Sequence, residues 1–409
     1  MKFTLSKKQE INTDVDRVED FLFRGVENIY PNKEFVKKNL LSGKKLKIYL
    51  GIDPTGPNLH LGHSIPLRKL KCLQDLGHQI ILLVGDFTAM IGDPTDKSAV
   101  RKQLTKKEVL INCKNYKKQI SKIILFTGKN PAKFVFNSKW LAKMNFEDVL
   151  NLASRVTVDQ MLKRDMFEKR MAENKPLSIH ELMYPLMQGY DSVAMDVDGE
   201  IGGNDQTFNM LMGRELLKEI NKKEKFVITT KLLVDSGGKK MGKTEGNMAI
   251  LTDEPSDMFG KVMSWTDGMI ISGFELCTEV SLQEVEKYKK DLDGGENPRN
   301  IKIKLAKEIV SMYHNEKEAN NAEQDFINTF SKGGVPENVL EIKVLKDEKM
   351  VDVLLKSKTV ESKGEWRRLV LQGGVSNAET DEKIESPDEL VKNITLKVGK
   401  KRFVKIVIE

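Results

Sequence analysis

Residues 46–86 of this 409-residue chain constrain its fold more than any other stretch. Residues 46–53 (LKIYLGID) and 79–86 (QIILLVGD) are short, mainly apolar runs, which is typical of buried strands. Between them, residues 64–77 (SIPLRKLKCLQDLG) place leucines at three-residue steps, which predicts a helix. A strand, a helix and a strand within about 40 residues predict a βαβ unit, and therefore a parallel α/β sheet in the N-terminal half.

The rest of the chain predicts further helical and mixed regions. Residues 102–175 are mostly helical and charged in pattern, with a short strand near 132–138 (AKFVFNS), and residues 226–235 (FVITTKLLVD) indicate a late strand. Residues 254–335 indicate helices rich in lysine and glutamate, and residues 349–409 begin with helices and end in alternating short strands. We predict an α/β fold with a Rossmann-like parallel-sheet domain at 1–247 containing a helical insertion at about 110–180, an α-helical domain at 248–335, and a small α+β domain at 346–409.

The composition limits the compartment and the kind of partner. Lysine and arginine (67) exceed aspartate and glutamate (60), so the formal net charge of +7 suits a polyanionic partner such as nucleic acid without requiring one. The three cysteines, Cys72, Cys113 and Cys277, lie far apart and match no metal-ligand spacing, which favours a reduced protein of the cytoplasm. No run approaches the roughly 18 apolar residues of a membrane span, so we predict a soluble, cytoplasmic protein.

His60-Leu61-Gly62-His63 follows the first predicted strand, at the kind of strand-to-helix turn where α/β sheets bind nucleotides. The two histidines share one helical face, Gly62 lets a ligand approach the backbone, and the helix N-terminus adds donors and partial positive charge. We predict that the pair hydrogen-bonds a triphosphate, with the Thr55 hydroxyl as a further donor. A zinc site would need more ligands, and no His or Cys cluster supplies them. Two histidines that only cap the turn remain an alternative.

Residues 237–247 (GGKKMGKTEGN) fit the phosphate-loop pattern G-x-x-x-x-G-K-[ST], but their context contradicts it. A phosphate loop starts a long apolar helix directly after its Lys-Thr, whereas here Glu-Gly-Asn follows and Pro255 comes soon after. What remains is a glycine-rich loop with Lys239, Lys240 and Lys243, which we predict to place ammonium groups around a triphosphate. An exposed basic turn is the alternative when the loop is considered alone.

Taken together and in this order, the two motifs resemble the signatures of class I aminoacyl-tRNA synthetases. HLGH is similar to their HIGH box, and KMGKT to their KMSKS loop, with Gly242 and Thr244 in place of the two serines. More specifically, residues 51–63, 84–95 and 184–209 and the C-terminal unit resemble bacterial-type tyrosyl-tRNA synthetases, and the resemblance covers essentially the whole chain. It implies an enzyme that activates L-tyrosine with ATP to tyrosyl-adenylate and pyrophosphate, and then transfers tyrosine to the 3′ end of tRNA(Tyr).

The resemblance also implies residues for the chemistry, which is mostly positioning and charge stabilisation. The threonine and histidines of the first turn would act on the γ-phosphate and near the ribose, and the later loop would neutralise the departing pyrophosphate. The catalytic residues would be Thr55, His60, His63, Lys240, Lys243 and Thr244. ATP would be bound by Gly62, His60, His63 and Lys243, with Mg²⁺ bridging its phosphates and no metal held by the protein.

A tyrosine pocket follows from residue spacing together with the resemblance. Tyr184, Gln188 and Asp191 are four and three residues apart, so one helical face presents all three. Asp191 can accept a hydrogen bond from a phenol, and Tyr49 can donate to the same oxygen. Taken alone, Tyr184 has a second interpretation as a core aromatic residue and Asp191 as a helix cap. The predicted tyrosine-binding residues are Tyr49, Asp53, Asp93, Tyr184, Gln188, Asp191 and Gln206.

The last unit carries basic residues in two places, on a predicted helix that ends at a Gly-Gly turn and at a predicted hairpin turn. The unit resembles a small RNA-binding fold shared with a ribosomal protein of the small subunit, which implies contact with tRNA through its backbone and shape. An ordinary solvated basic surface is the alternative. The predicted RNA-binding residues are Lys363, Arg367, Arg368, Lys400, Lys401 and Arg402. The resemblance further implies a homodimer, formed through the insertion at about 110–180.

Three other functions compete with this interpretation. A tryptophan-specific synthetase would leave Tyr49 and Asp191 without a phenol to bind, and a small cytidylyltransferase would not need a helical domain or an RNA-binding tail. A non-catalytic RNA-binding protein built on a synthetase scaffold predicts damage to the histidine pair or to the loop lysines, and both are intact. The sequence therefore favours tyrosine activation.

Overall fold

The computed structural model describes residues 10–94, 103–234, 248–331, 339–378, 380, 382–399 and 402–408. The chain divides into two compact units, one of Met1–Asp253 with Lys261–Leu305 and one of Glu254–Gly260 with Ala306–Glu409. The finer division into three domains remains a prediction. Among the described residues, no helix is both long and apolar enough to cross a membrane.

A six-stranded sheet organises the first unit. Its spatial order is β1-β6-β5-β2-β3-β4, and every neighbouring pair is parallel except β1 with β6. The predicted parallel α/β sheet is thus confirmed, with one antiparallel strand added at its edge. The strands are β1 (Val26–Tyr30), β2 (Lys47–Ile52), β3 (Gln79–Val84), β4 (Lys133–Phe136), β5 (Gly199–Gly203) and β6 (Phe226–Thr230).

Helices connect these strands and continue beyond them. Among the described residues, the helices before β5 are α1 (Val15–Phe23), α2 (Lys33–Leu40), α3 (Leu61–Asp75), α4 (Thr88–Ile91), α5 (Lys106–Cys113), α6 (Tyr116–Ile120), α7 (Ser138–Leu141), α8 (Phe146–Ala153), α9 (Val158–Leu162), α10 (Asp165–Ala172) and α11 (Ile179–Met195). After β5 come α12 (Thr207–Asn221), α13 (Pro255–Met263), α14 (Ile270–Cys277), α15 (Leu282–Asp293), α16 (Pro298–Tyr313) and α17 (Glu316–Ser331). Short 3₁₀ turns lie at Asn204–Gln206 and Asp267–Met269.

The predicted βαβ unit is present as β2, α3 and β3, with the two strands paired in parallel register. The helix begins at Leu61, one turn earlier than the leucine pattern indicates, because His60 caps it. The Nδ1 atom of His60 accepts a hydrogen bond from the Gly62 backbone N–H, and that of His63 accepts one from the His60 N–H. Two donors that a helix start would leave unpaired are satisfied in this way.

Residues 102–175 were predicted to be mostly helical with one strand, and they contain α5 to α10 and the strand β4. The strand extends the parallel sheet beside β3, so this region is not a separate layer of helices. Arg170 of α10 forms a buried ion pair with Glu181 of α11, at 2.7 Å between Nη1 and Oε1. Because both charges are out of water, removing either one alone would leave an uncompensated buried charge.

The second unit contains a four-stranded sheet in the order β7-β10-β9-β8. The β10 strand pairs in parallel with β7 and antiparallel with β9. Trp366 is fully buried in its core, and its indole N–H donates to the Pro387 carbonyl at 2.7 Å. The predicted helices and late strands are confirmed, whereas the first strand was not predicted. The described elements around this sheet are β7 (Leu340–Val344), α18 (Met350–Lys356), α19 (Lys363–Leu371), β8 (Val375–Asn377), β9 (Ile394–Val398) and β10 (Arg402–Ile408).

Candidate active site

A cavity of about 360 Å³ lies in the first unit, where the carboxyl ends of β2, β3, β5 and β6 contribute to its lining. In parallel α/β sheets this edge is the usual place for a ligand, because the strands end there and the loops that follow diverge. The structure brings residues from distant parts of the sequence together around this cavity. The predicted residues that line it are Tyr49, Asp53, Thr55, His60, Gly62, His63, Asp93, Tyr184, Gln188, Asp191 and Gln206.

The cavity lining includes the carboxylate of Asp191, which is 2% exposed and lies on α11. Its Oδ1 accepts a hydrogen bond from Trp140 Nε1 at 2.7 Å, and its Oδ2 accepts one from Asn137 Nδ2 at 3.2 Å. Burial raises the pKa of Asp191, and the two donors act in the opposite direction. The donors fix the orientation of the carboxylate, so that it can accept a further hydrogen bond from a ligand in the cavity.

Tyr49 lies beside this carboxylate, on β2. Its hydroxyl oxygen is 2.9 Å from Ser192 Oγ, and its ring packs with Ile81 and Leu83 of the neighbouring strand. Burial raises the pKa of Tyr49 well above its ordinary value, and the nearby carboxylates of Glu200 and Asp191 raise it further. The hydroxyl therefore stays protonated. A cavity that offers apolar side chains together with one acceptor and one hydroxyl is suited to a hydroxylated aromatic ring.

The cavity also offers acceptors for a positively charged group. Asp93 Oδ2 accepts a hydrogen bond from Gln206 Nε2 at 2.7 Å, and its Oδ1 is 3.7 Å from the buried Arg164 guanidinium. The Tyr184 hydroxyl donates to Asp53 Oδ2 at 2.8 Å, so its single hydrogen is committed and its oxygen can accept a bond from an ammonium.

A continuous series of hydrogen bonds links the Asp53 carboxylate with the Asp191 carboxylate. Asp53 Oδ1 accepts from the Thr88 hydroxyl at 2.7 Å, and Thr88 Oγ1 is also 3.1 Å from Asn137 Nδ2. The same amide of Asn137 reaches Asp191, at 3.2 Å. The series therefore runs from the Asp53 carboxylate to the Asp191 carboxylate through uncharged side chains, and the Tyr184 hydroxyl joins it at Asp53. Their positions therefore depend on one another.

The histidine pair occupies the N-terminus of α3, with ring centroids 3.9 Å apart. Since Nδ1 of each ring accepts a backbone N–H, the hydrogen of each neutral imidazole is on Nε2. Capping and ligand binding are therefore compatible, because the cap uses Nδ1 and a phosphate oxygen would accept from Nε2. A Cβ at Gly62 would come within 2.9 Å of the His60 ring, so a glycine here allows the cap.

The predicted catalytic residues Lys240, Lys243 and Thr244 lie outside the described residues. The described residues before that loop line the cavity, and those after it contact the histidine turn. Thr230 to Leu233 contribute to the lining before the loop. After it, the Ala249 carbonyl accepts from Leu61 N–H at 3.0 Å, and Ile250 pairs antiparallel with His60.

Sequence reasoning missed Asn137 and Trp140, which hold the Asp191 carboxylate. They follow β4 and lie more than 50 positions from Asp191, so no periodicity relates them. The strand predicted near residues 132–138 was the available signal, because a side chain at the carboxyl end of a neighbouring strand falls near the same cavity. The described residues contain no group of three or more His, Cys, Asp or Glu arranged to hold a metal ion.

We expect Gly85→Ala to weaken tyrosine binding about tenfold or more, because a Cβ there would collide with Asp53 Oδ1 and Thr88 Oγ1. Overpacking of this kind costs about 1–3 kcal/mol. Isothermal titration with tyrosine, together with the melting temperature, measures the effect. Gly260→Ala is the matched control, since a Cβ at Gly260 meets no atom within 4 Å. Unchanged tyrosine affinity in Gly85→Ala would contradict the placement of Asp53 in the site.

The predicted RNA-binding residues fall into three groups. Lys363, Arg367 and Arg368 are exposed on α19, although Lys363 Nζ is 2.8 Å from the Asp352 carboxylate. Arg402 instead donates to the Thr359 carbonyl at 2.7 Å and to Glu365 at 2.8 Å, so its side chain ties β10 to α19. Lys400 and Lys401 lie outside the described residues.

Curated relatives match nearly the whole chain. A tyrosine–tRNA ligase of Carboxydothermus hydrogenoformans is 45% identical, covering 97% of this chain and 99% of the relative. A tyrosine–tRNA ligase of Haemophilus influenzae is 43% identical, covering 96% of this chain and 98% of the relative.

Solved structures agree on the fold. A C-terminally truncated mitochondrial tyrosyl-tRNA synthetase of Aspergillus nidulans has a TM-score of 0.65 at 21% identity, covering 77% of this chain and 94% of that chain. A tyrosyl-tRNA synthetase of Archaeoglobus fulgidus, complexed with L-tyrosine, has a TM-score of 0.61 at 24% identity, covering 76% of this chain and all of that chain. The family profile for class I tRNA synthetases (W and Y) matches residues 41–331. The chain therefore belongs to the class I tRNA synthetase family, among the bacterial-type tyrosyl-tRNA synthetases.

Proposed function

We propose that this protein is a tyrosine–tRNA ligase whose cavity binds L-tyrosine and ATP side by side. The observation that carries the proposal is that the Asp191 carboxylate and the Tyr49 hydroxyl line one cavity together with apolar side chains such as Leu83. A substrate phenol there would donate to Asp191 and accept from Tyr49. The ammonium group of the substrate would bind Asp93, Tyr184 and Gln188, with Asp53 and Gln206 holding these groups in place.

In the first step, an oxygen of the tyrosine carboxylate attacks the α-phosphorus of ATP. The new bond joins that oxygen to the α-phosphorus, and the bond from the α-phosphorus to the bridging oxygen of the β-phosphate breaks, so that pyrophosphate leaves. The carboxylate is already a nucleophile and needs no general base. The protein therefore contributes position and charge stabilisation. In the second step, a ribose hydroxyl oxygen of the terminal tRNA adenosine forms a bond to the carbonyl carbon. The bond from that carbon to the phosphate oxygen breaks, so that AMP leaves, and the hydroxyl proton passes to the phosphate of the leaving AMP.

The residues that we propose for ATP surround the N-terminus of α3. Thr55 and the Nε2 hydrogens of His60 and His63 would donate to phosphate and ribose oxygens, and Gly62 keeps the backbone accessible. We assign Lys240, Lys243 and Thr244 to the departing pyrophosphate, supported by the contacts of Ala249 and Ile250 with the histidine turn. We further propose that Mg²⁺ arrives with the ATP phosphates and offsets part of their charge.

Tryptophan is the rival substrate, because the matching family includes synthetases for both amino acids. Asp191 and Tyr49 favour tyrosine, since an indole places no hydroxyl between them. A site that buries polar groups for a hydroxyl rejects the analogue that lacks it. The known rejection of phenylalanine, about 10⁴- to 10⁵-fold, was measured on tyrosyl-tRNA synthetases themselves and is not a result of this cavity. Such an enzyme needs no editing domain.

We propose that the protein works as a homodimer in the cytoplasm and that its C-terminal unit contacts tRNA(Tyr). Large apolar side chains are exposed in and beside the predicted insertion, which supports a protein interface there. They include Phe146, Leu150, Val158 and Ile179, with exposures of 76%, 54%, 65% and 80%. The exposed Lys363, Arg367 and Arg368 support RNA contact. The three-domain division, with the helical domain at 248–335 on the anticodon side, is part of the same proposal.

The function is tested by ATP–pyrophosphate exchange with each of the twenty amino acids, followed by charging of tRNA(Tyr). We expect exchange with tyrosine and, within the assay background, with no other amino acid. We also expect tyrosine to become attached to tRNA(Tyr). Exchange that is stronger with tryptophan would refute the substrate, and tyrosine-dependent exchange without charging would refute the second step.

A further inference from the structure

A buried polar cluster lies next to the cavity at Tyr49. Lys225 donates to Ser192 Oγ at 2.6 Å and forms an ion pair with the carboxylate of Glu200. Ser192 Oγ is in turn 2.9 Å from the Tyr49 hydroxyl. Glu200 and Tyr49 line the cavity, whereas Ser192 and Lys225 are outside the set of described residues that do so.

The fold places these four groups together from two strands, one helix and the residue just before a third strand. Tyr49 of β2 and Glu200 of β5 are paired neighbours in the parallel sheet, so their side chains share one face. Ser192 follows Asp191 on α11, and Lys225 lies just before β6. A Cβ at Gly213 of α12 would come within 2.8 Å of both Lys225 Nζ and Ser192 Oγ, so a glycine makes room for their contact.

The direction of the hydrogen bonds follows from counting hydrogens. An ammonium has donors and no acceptor, so Ser192 Oγ accepts from Lys225. Ser192 has 0% exposure, and its hydroxyl hydrogen then has the Tyr49 oxygen as its acceptor. If Tyr49 donated to Ser192 instead, the buried Ser192 hydrogen would lack an acceptor, which is unfavourable. The Tyr49 oxygen therefore accepts from Ser192, and its own hydrogen points elsewhere.

Two acceptors compete for the Tyr49 hydrogen, namely the Glu200 carboxylate and a substrate oxygen in the cavity. Lys225 is fully buried, and its ammonium lies 5.5 Å from the centroid of the Tyr49 ring. By pairing with Glu200, the ammonium offsets the negative charge that would otherwise hold the Tyr49 hydrogen. The hydrogen then remains available to a phenol oxygen.

We propose that Ser192 and Lys225 are positioning residues for substrate specificity, which orient the Tyr49 hydroxyl as a donor toward the substrate phenol. This inference rests on the proposed function, because Tyr49 is taken as the donor to the substrate phenol. Ser192 and Lys225 orient that donor and do not themselves contact the substrate. Asp191 supplies the acceptor half. Loss of the hydrogen bonds that run from Lys225 through Ser192 to Tyr49 should weaken the selection of tyrosine over phenylalanine and leave the KM for ATP unchanged.

The test compares kcat/KM for tyrosine and phenylalanine in pyrophosphate exchange by the full chain. We expect Ser192→Ala to lower kcat/KM for tyrosine about threefold to tenfold, as for one buried hydrogen bond, mainly through KM. The value for phenylalanine should change by less than about twofold, since phenylalanine takes no bond from Tyr49. In a Tyr49→Phe background, Ser192→Ala should have no further effect on the ratio of the two values.

Two further variants separate positioning from stability. Gly213→Ala removes no polar group and crowds the contact of Lys225 with Ser192, so it should reduce the tyrosine preference as Ser192→Ala does. Thr278→Val removes a buried hydroxyl bond from α14, away from the cavity lining, and should leave the preference unchanged. Equal losses for tyrosine and phenylalanine, or a full additional loss in the Tyr49→Phe background, would overturn the inference. A wild-type protein without tyrosine-dependent exchange would overturn the proposed function instead.

Discussion

Replacing Asp191 by asparagine is expected to lower kcat/KM for tyrosine in pyrophosphate exchange about 10²- to 10³-fold. The carboxylate accepts from Trp140 and Asn137, and in the proposed complex it also accepts from the substrate phenol. An amide has one oxygen and one donor nitrogen, so in either orientation one buried donor, Trp140 or Asn137, would face another donor. The bond from the phenol would at best go to a neutral oxygen and lose its charge assistance. Loss of a charge-assisted bond plus an unsatisfied buried donor costs about 3–4 kcal/mol.

The same assay distinguishes this effect from a general loss of folding. KM for ATP should stay near its wild-type value, because Asp191 is assigned to the substrate phenol and not to ATP. Asp196→Asn is the matched control, since Asp196 ends the same helix and is half exposed beside Lys223. A tyrosine kcat/KM within tenfold of wild type in a folded Asp191→Asn variant would show that the phenol binds elsewhere.

The second large effect is expected for Lys243→Ala, which should slow adenylate formation by more than tenfold, and about 10²- to 10³-fold if the ammonium acts on transition-state charge alone. Tyrosine affinity should remain nearly unchanged, because the loop is assigned to the pyrophosphate of ATP. Single-turnover formation of tyrosyl-adenylate separates this step from binding, and equilibrium titration measures tyrosine affinity.

Lys239→Ala is the matched control for the loop. It removes the same charge from the same short segment, at a position that belongs to the basic loop but is not among the residues assigned to the departing pyrophosphate, which are Lys240, Lys243 and Thr244. We expect its single-turnover rate to stay within about threefold of wild type, because screened charges away from the reacting atoms contribute little. Adenylate formation at the wild-type rate in Lys243→Ala would remove this lysine from the mechanism.

Local sequence patterns predicted much of the cavity. The spacing of Tyr184, Gln188 and Asp191 predicted one helical face, and α11 presents all three to the cavity. Apolar runs predicted β2 and β3, and the turn after β2 carries the histidine pair. These predictions succeeded because helix and strand periods are encoded within about ten residues.

The partners of these side chains could not be predicted in the same way. Trp140 contacts Asp191 from 51 positions away, and Lys225 contacts Ser192 from 33 positions away. Such contacts depend on strand order and on how helices cross, which no single stretch encodes. Arg402 gives the converse case. Its charge in a basic turn predicts RNA contact, whereas its described bonds go to Thr359 and Glu365.

The hydrogen-bonded series from Tyr184 through Asp53, Thr88 and Asn137 to Asp191 has a geometric consequence. It fixes the separation between the place where an ammonium would bind and the place where a phenol would bind. The site thus selects an amino acid by the distance between its ammonium group and its phenol oxygen. A substrate one methylene too long or too short can bind at the ammonium position or at the phenol position, but not at both at once.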